Sequence, residues 1–63
     1  MKTEYKIIVN LIEEKTRVLD VGCDDGTLLE SLKKNKNVDA RGIEISKDKV
    51  QTCVSKGLTV IEG

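Results

Sequence analysis

Residues 17–26 read RVLDVGCDDG, and this stretch decides the fold. Its first five residues are mostly apolar and β-favouring, so they predict a buried strand. Gly22 and Gly26 then frame a short acidic loop, and a helical pattern starts directly after it. A strand, a glycine loop and a helix in succession put backbone N–H groups and the positive end of a helix around a ligand. We therefore expect this loop to be a ligand site.

Helix and strand patterns alternate on both sides of this stretch. In chain order they are a helix over residues 3–14 with Thr3 as N-cap, a strand over 17–21, a helix over 27–34, a strand within 38–45, a helix capped by Ser46 and stopped by Gly57, and a strand over 58–62. Alternation at these lengths predicts a parallel sheet with right-handed crossovers. The fold class is therefore α/β, one half of a Rossmann-like sheet with strand order 3-2-1, in a single domain over residues 1–63.

The spacing of apolar residues predicts which side of each helix is buried. The expected inward residues are Tyr5, Ile8 and Ile12 in the first helix, flanked by Ile7 and Leu11, then Leu28, Leu29 and Leu32 in the second, and Val50, Cys53 and Val54 in the third. These positions follow the 3.6-residue helical period. The nearly continuous apolar run of the first strand predicts that both of its faces are covered.

Length and composition restrict the class of protein. With 63 residues, the chain forms at most one small domain, and 38% hydrophobic with 35% charged residues is typical of a globular protein. Eleven basic and eleven acidic residues balance, which gives no electrostatic reason to expect nucleic acid or a membrane surface as a partner. The chain has neither a long apolar run nor a signal-peptide pattern at its start, so we expect a cytoplasmic protein.

The two cysteines do not predict a metal site. Cys23 and Cys53 are far apart in sequence, neither belongs to a CxxC pair, and the chain has no histidine. We expect two small buried thiols, as in proteins of a reducing compartment.

An acidic residue at the next strand end suggests what the loop binds. Glu44 ends the second strand about 20 residues after Gly22, the position from which a carboxylate accepts hydrogen bonds from ribose hydroxyls. The loop lacks the GxGxxG pattern of dinucleotide sites, and Asp24 and Asp25 would repel a pyrophosphate. A phosphate-binding P-loop is excluded, because no glycine-lysine-serine/threonine run is present. A nucleoside with positive charge fits better, and S-adenosylmethionine carries a sulfonium, an ammonium and a ribose.

The quoted segments also carry a family resemblance. VLDVGCDDGTLL followed by GIEIS resembles the first two motifs of class I S-adenosylmethionine-dependent methyltransferases. With YKIIVNLI before and VQTCVSKGLTVIEG after, the whole chain resembles the N-terminal part of the methionine biosynthesis protein MetW family. The resemblance covers all 63 residues, which correspond only to the front of a full family member. Full members continue with an acidic residue on the adenine and a fourth strand.

The resemblance implies a cofactor-binding set and no catalytic residue. The implied contacts with S-adenosylmethionine are Asp20 near the methionyl amino group, Gly22 and the backbone of Cys23 along the methionyl and ribose parts, Gly26 at the closure of the loop, Glu44 on the ribose hydroxyls and Ile45 on the adenine. The family usually has glycine where this chain has Asp24. Aspartate is one of the few other residues that tolerate a left-handed backbone, so we expect the turn to survive.

Three functions are open from the sequence. The first is a MetW-like methyltransferase-fold protein, linked by resemblance to methionine biosynthesis and to a homoserine O-acyltransferase as partner. The second is a non-catalytic cofactor- or partner-binding module, and the third, less favoured, is a nicotinamide dinucleotide-binding half-domain. In the order 3-2-1 the first strand is an apolar edge, so self-association through that edge is also expected.

Overall fold

Helices and strands alternate along the chain in the computed structural model, which describes residues 2–63. The elements are α1 (Thr3–Leu11), β1 (Arg17–Val21), α2 (Thr27–Lys36), β2 (Asp39–Glu44), α3 (Lys47–Ser55) and β3 (Thr59–Glu62). The predicted α/β class is confirmed. Within residues 2–63, no helix has the length and apolar character needed to cross a membrane.

The three strands form one parallel sheet with β2 in the centre. Val21 pairs with Ile43 at one end of the β1–β2 ladder, and Glu44 pairs with Glu62 at the end of the β2–β3 ladder. The order β1-β2-β3, read from the opposite edge, is 3-2-1. Since parallel strands have their carboxyl ends at one edge of the sheet, the loops after β1 and β2 lie side by side.

One face of the sheet carries the core. A first cluster joins the loop after β1 to α2, α3 and β3 through Cys23, Leu29, Cys53, Leu58 and Val60. A second joins α1 and α2 through Val9 and Leu32 to Val38, the residue directly before β2. The cluster residues are aliphatic side chains and thiols.

The other face of the sheet is open, which corrects the expectation that β1 is covered on both sides. Leu19 is 60% exposed, Val21 74% and Ile61 63%. The reason is topological. Two right-handed crossovers that advance in the same direction across a sheet leave both helices on the same side.

Two features of α1 differ from the prediction. The helix ends at Leu11, and Thr3 is not its cap: the N-cap is Lys2, whose side chain makes no capping hydrogen bond. The buried residue is Val9, at 6% exposure, whereas Ile8 is 37% exposed. Tyr5 and Ile12 are half-buried, as predicted, but the residue between them that faces inward is Val9 and not Ile8, because several neighbouring apolar residues allow more than one stripe.

The ends of α2 and α3 follow local signals. Helix α2 runs two residues further than predicted and stops at Asn37, which adopts a left-handed φ of 50°. The Ser46 cap of α3 is confirmed, since its hydroxyl accepts a hydrogen bond from the Lys49 amide. Gly57 has the expected left-handed φ of 79° after the helix. Val54 is 57% exposed, so its predicted inward position is wrong.

Candidate functional site

The site lies where the carboxyl ends of β1 and β2 meet, and Glu44 is at its centre. Its Oε1 accepts a hydrogen bond from the Asp24 amide at 2.8 Å, and its Oε2 accepts one from the Ser46 amide at 2.8 Å. The side chain thus joins the glycine loop to the start of α3. The predicted meeting of the loop with Glu44 is present.

The carboxylate of Glu44 stays ionised while it is largely buried. The residue is 7% exposed, and the N–H groups of Ser46 and then Asp24 lower the pKa of its carboxyl below the usual value. An ionised carboxylate has about four acceptor positions, of which the two amides use two. Two remain for donors such as hydroxyl groups.

The backbone N–H groups of the loop bind the chain's own acceptors. The amides of Gly22 and Cys23 both donate to the Ile43 carbonyl, at 2.7 and 3.1 Å, and the Gly26 amide donates to the Cys23 carbonyl at 3.1 Å. The expectation that these N–H groups point at a ligand is therefore not met. Their partners result from the tight return of the chain onto β2. A pyrophosphate would find few donors here, which is a second argument against a dinucleotide.

Asp24 contacts two residues of α3. It has a left-handed φ of 57°, and its carboxylate forms an ion pair with Lys49. Its carbonyl oxygen accepts a hydrogen bond from the Cys53 thiol at 3.3 Å. The hydrogen bond from Lys49 lowers the pKa of the Asp24 carboxyl. The turn survives with aspartate, as predicted, and Lys49 is a participant that the sequence did not reveal.

Asp25 holds the start of α2. Its Oδ1 accepts hydrogen bonds from the Thr27 amide at 3.1 Å and from the Thr27 hydroxyl at 2.7 Å, and these bonds lower the pKa of the Asp25 carboxyl. Lys56 donates to the Asp25 carbonyl at 2.9 Å. Both acids of the loop are thus engaged by the protein itself.

Two loop glycines have different surroundings. A Cβ on Gly26 would lie 2.5 Å from Leu58 Cδ1 and 2.9 Å from Cys53 Sγ, and φ is 84°. A Cβ on Gly22 would have nothing within 4 Å, with φ at 76°. The loop therefore packs directly on the core at Gly26, where there is no room for a side chain. At Gly22 the space next to the backbone is open and could accommodate a ligand.

Gly42 in β2 is a second residue that sequence reasoning missed. A Cβ there would lie 2.6 Å from Cys23 Sγ and 2.7 Å from Leu29 Cδ1. The absence of a side chain on β2 lets the loop and α2 pack directly on the strand. A glycine inside a strand pattern is the signal that could have identified this close approach.

The remaining predicted residues differ in their surroundings. Asp20 is half-buried at the end of β1, and burial raises the pKa of its carboxyl. Cys23 is 4% exposed, so its side chain belongs to the core; burial, followed by the nearby Cys53, raises the pKa of its thiol to about 11. Both thiols are free and buried, as predicted. Ile45 is 81% exposed, directly after Glu44.

Comparison with solved structures identifies the fold. Residues of this chain superpose on a TehB-like S-adenosylmethionine-dependent methyltransferase from Corynebacterium glutamicum with a TM-score of 0.82 and 19% identity, over 95% of this chain and 33% of that one. M. capricolum TrmK, in complex with S-adenosylhomocysteine, superposes with a TM-score of 0.81 and 19% identity. The match covers 100% of this chain and 32% of that one. A Geobacter sulfurreducens S-adenosylmethionine-dependent methyltransferase, also in complex with S-adenosylhomocysteine, superposes with a TM-score of 0.71 and 23% identity. The match covers 100% of this chain and 30% of that one.

The chain spans about a third of the length of these structures. No curated protein matches it significantly. The family model for methionine biosynthesis protein MetW matches residues 2–63, nearly the whole chain. The chain therefore belongs to the MetW family and has the fold of S-adenosylmethionine-dependent methyltransferases.

Proposed function

We propose that this chain is the S-adenosylmethionine-binding part of a MetW methyltransferase-fold protein. The observation that carries the proposal is Glu44, an ionised and largely buried carboxylate with two unused acceptor positions, beside the open space at Gly22. Ribose hydroxyls are donors that suit those positions. The two solved relatives that hold S-adenosylhomocysteine share this fold, which supports the same class of ligand here.

The crevice also suits the rest of the cofactor. Asp20 supplies a carboxylate for the ammonium of the methionyl part, and Ile45 supplies an exposed apolar side chain for the adenine. When bound, S-adenosylmethionine carries a methyl group on a sulfonium that a nucleophile can accept. The residues of this chain bind and orient the cofactor. The amides of Gly22, Cys23 and Gly26 keep the loop in shape for it.

Titration calorimetry with S-adenosylmethionine and S-adenosylhomocysteine tests the proposal. We expect Glu44→Gln to weaken binding by about ten- to a hundredfold, because a neutral amide loses charge-assisted bonds to the ribose. Glu62→Gln is the matched control, since Glu62 pairs with Glu44 across β2 and β3 but is exposed. Ile45→Ser is a second variant whose exposed site leaves the fold intact.

Two results would count against the cofactor site. One is the absence of binding heat with the wild-type chain at any reachable concentration. The other is equal affinity for wild type, Glu44→Gln and Ile45→Ser. Circular dichroism of each variant separates loss of binding from loss of folding. The less favoured nicotinamide dinucleotide is included as a competing ligand, and we expect no binding of it because the loop offers few free N–H groups.

A proposal about the cellular role is supported by the family description alone. We propose a part in methionine biosynthesis, supported by the description of the matching family. Association with a homoserine O-acyltransferase, a cytoplasmic location and the alternative of a non-catalytic module stay predictions.

We further propose that this chain self-associates through the edge of β1 and the open face beside it. Within residues 2–63, strand β1 pairs only with β2, so its other edge carries unpaired backbone groups, and Leu19 and Val21 expose apolar surface next to it. Sedimentation velocity should show a mass that rises with concentration. Leu19→Lys should reduce this concentration-dependent rise in mass. Ile7→Lys, at an exposed site on α1, should leave it unchanged. A stable monomer of the wild-type chain at high concentration contradicts the proposal.

A further inference from the structure

We propose that the groove between α1 and α2 is a second binding site, which takes a small anion with a phosphate or carboxylate group. The groove has a volume of about 460 Å³ and is lined by Lys6, Val9, Asn10, Ser31, Asn35 and Lys36. Helix α2 starts directly after the glycine loop and ends at Lys36, so the groove and the proposed cofactor site use different parts of the molecule. The proposal is therefore independent of the proposed function.

The walls of the groove are two polar rows on helices that are packed together. Residues four positions apart lie on the same face of a helix, and the pairs here are Lys6 with Asn10 on α1 and Ser31 with Asn35 on α2. Val9, which also lines the groove, packs with Leu32 of α2 in the second core cluster. Because this contact fixes the two helices against each other, the groove exists before a ligand binds.

The polar groups in the groove are mainly hydrogen-bond donors without acceptors. Within residues 2–63, neither Lys6 nor Lys36 forms an ion pair, and the described residues that line the groove include no carboxylate. Ser31 is only 9% exposed, and its Oγ accepts a hydrogen bond from Asn35 Nδ2 at 3.1 Å. In the described part of the chain the Ser31 hydroxyl donates to no acceptor, so its proton is free. Two ammonium groups and a largely buried hydroxyl donor fit an anion.

The carboxyl end of α2 opposes anion binding, but the lysines outweigh it. A helix end carries about half a negative charge, whereas Lys6 and Lys36 each carry a full positive charge. Charges of one sign around a concave surface also reinforce each other. Since exposed ion pairs are individually weak and screened by salt, we expect low affinity that falls further as salt is added.

Titration of the complete chain with inorganic phosphate and, separately, with succinate tests the proposal by ¹H–¹⁵N NMR at low salt. We expect saturable shifts of the Asn10 and Asn35 side-chain amides and of the Ser31 backbone amide. The probe with the higher affinity identifies the anionic group as phosphate or carboxylate. Shifts that stay linear with both probes up to the highest soluble concentration overturn the site.

Charge variants separate a site from diffuse attraction. Lys6→Gln and Lys36→Gln should each weaken binding about two- to fivefold, as expected for exposed ion pairs. Lys34→Gln removes the same charge from an exposed position on α2 that does not line the groove, and it should leave the affinity nearly unchanged. An equal loss in all three variants overturns the proposal, because it would mean that only the overall charge matters.

Ser31→Ala provides a test at constant charge. Loss of the hydroxyl donor should weaken anion binding about two- to tenfold, the usual range for one hydrogen bond. Circular dichroism of each variant shows whether the fold is kept. Unchanged affinity in a folded Ser31→Ala variant contradicts the assignment of the groove as the site.

Discussion

Gly26→Ala is expected to lower the free energy of unfolding by about 2–5 kcal/mol. A residue at φ 84° costs about 1–2 kcal/mol when it has a Cβ. The new methyl group would also lie 2.5 Å from Leu58 Cδ1, and such overpacking typically costs about 1–3 kcal/mol. A domain of 63 residues has a total stability of roughly 3–9 kcal/mol at the usual value per residue. The combined loss is therefore a major part of the whole.

Gly22→Ala is the matched control. Its φ of 76° is similar, but nothing lies within 4 Å of the added Cβ, so only the backbone strain remains. Urea denaturation followed by circular dichroism should place the midpoint of Gly22→Ala clearly above that of Gly26→Ala. Equal midpoints would show that the close approach of the added methyl group to Leu58 and Cys53 does not lower the stability of the protein.

The second large effect is expected for Leu29→Ala, with a loss of about 2–5 kcal/mol. Leu29 has no exposed surface and belongs to the cluster that connects α2 with the loop after β1. Its Cδ1 occupies the space above Gly42, so truncation leaves a cavity directly below Cys23. The backbone around the cavity is held by hydrogen bonds to β2, which limits collapse. Loss of stability should thus exceed simple loss of apolar area.

Leu28→Ala is the control for this prediction. Leu28 precedes Leu29 in the same helix turn and is only half-buried. Chemical denaturation should give a smaller loss for Leu28→Ala than for Leu29→Ala. A similar loss for both would mean that helix propensity, and not packing beneath the loop, decides the stability of α2.

Much of the fold was accessible from local patterns. The order of elements, the Ser46 cap and the Gly57 stop depend on neighbouring residues only, and the structure has all three. The convergence of the glycine loop with Glu44 was also predictable. One helix and one turn necessarily return the chain to the adjacent parallel strand.

The sequence did not predict correctly which faces of α1 and β1 are buried, because the local pattern of apolar residues fits more than one arrangement. In α1, a row of apolar residues fits more than one inward stripe, and contact with Leu32 and Val38 selects Val9. In β1, the apolar run indicated two covered faces, but the helices of this chain lie on one side only. Neither choice is encoded within the element itself.

By itself, the sequence determined the strand-loop-helix unit, the second strand with its terminal Glu44, and the family to which the chain belongs. The first two follow from periodicity, from glycine positions and from short-range spacing, whereas the family was indicated by the resemblance of the quoted segments and is shown by the matching family model. Only the tertiary structure decided how the loop's polar groups are used. Lys49 and Cys53 reach Asp24 from another helix, and Ile43 receives the loop amides from another strand. Such partners are distant in sequence, and burial and hydrogen bonding select them only once the sheet has formed.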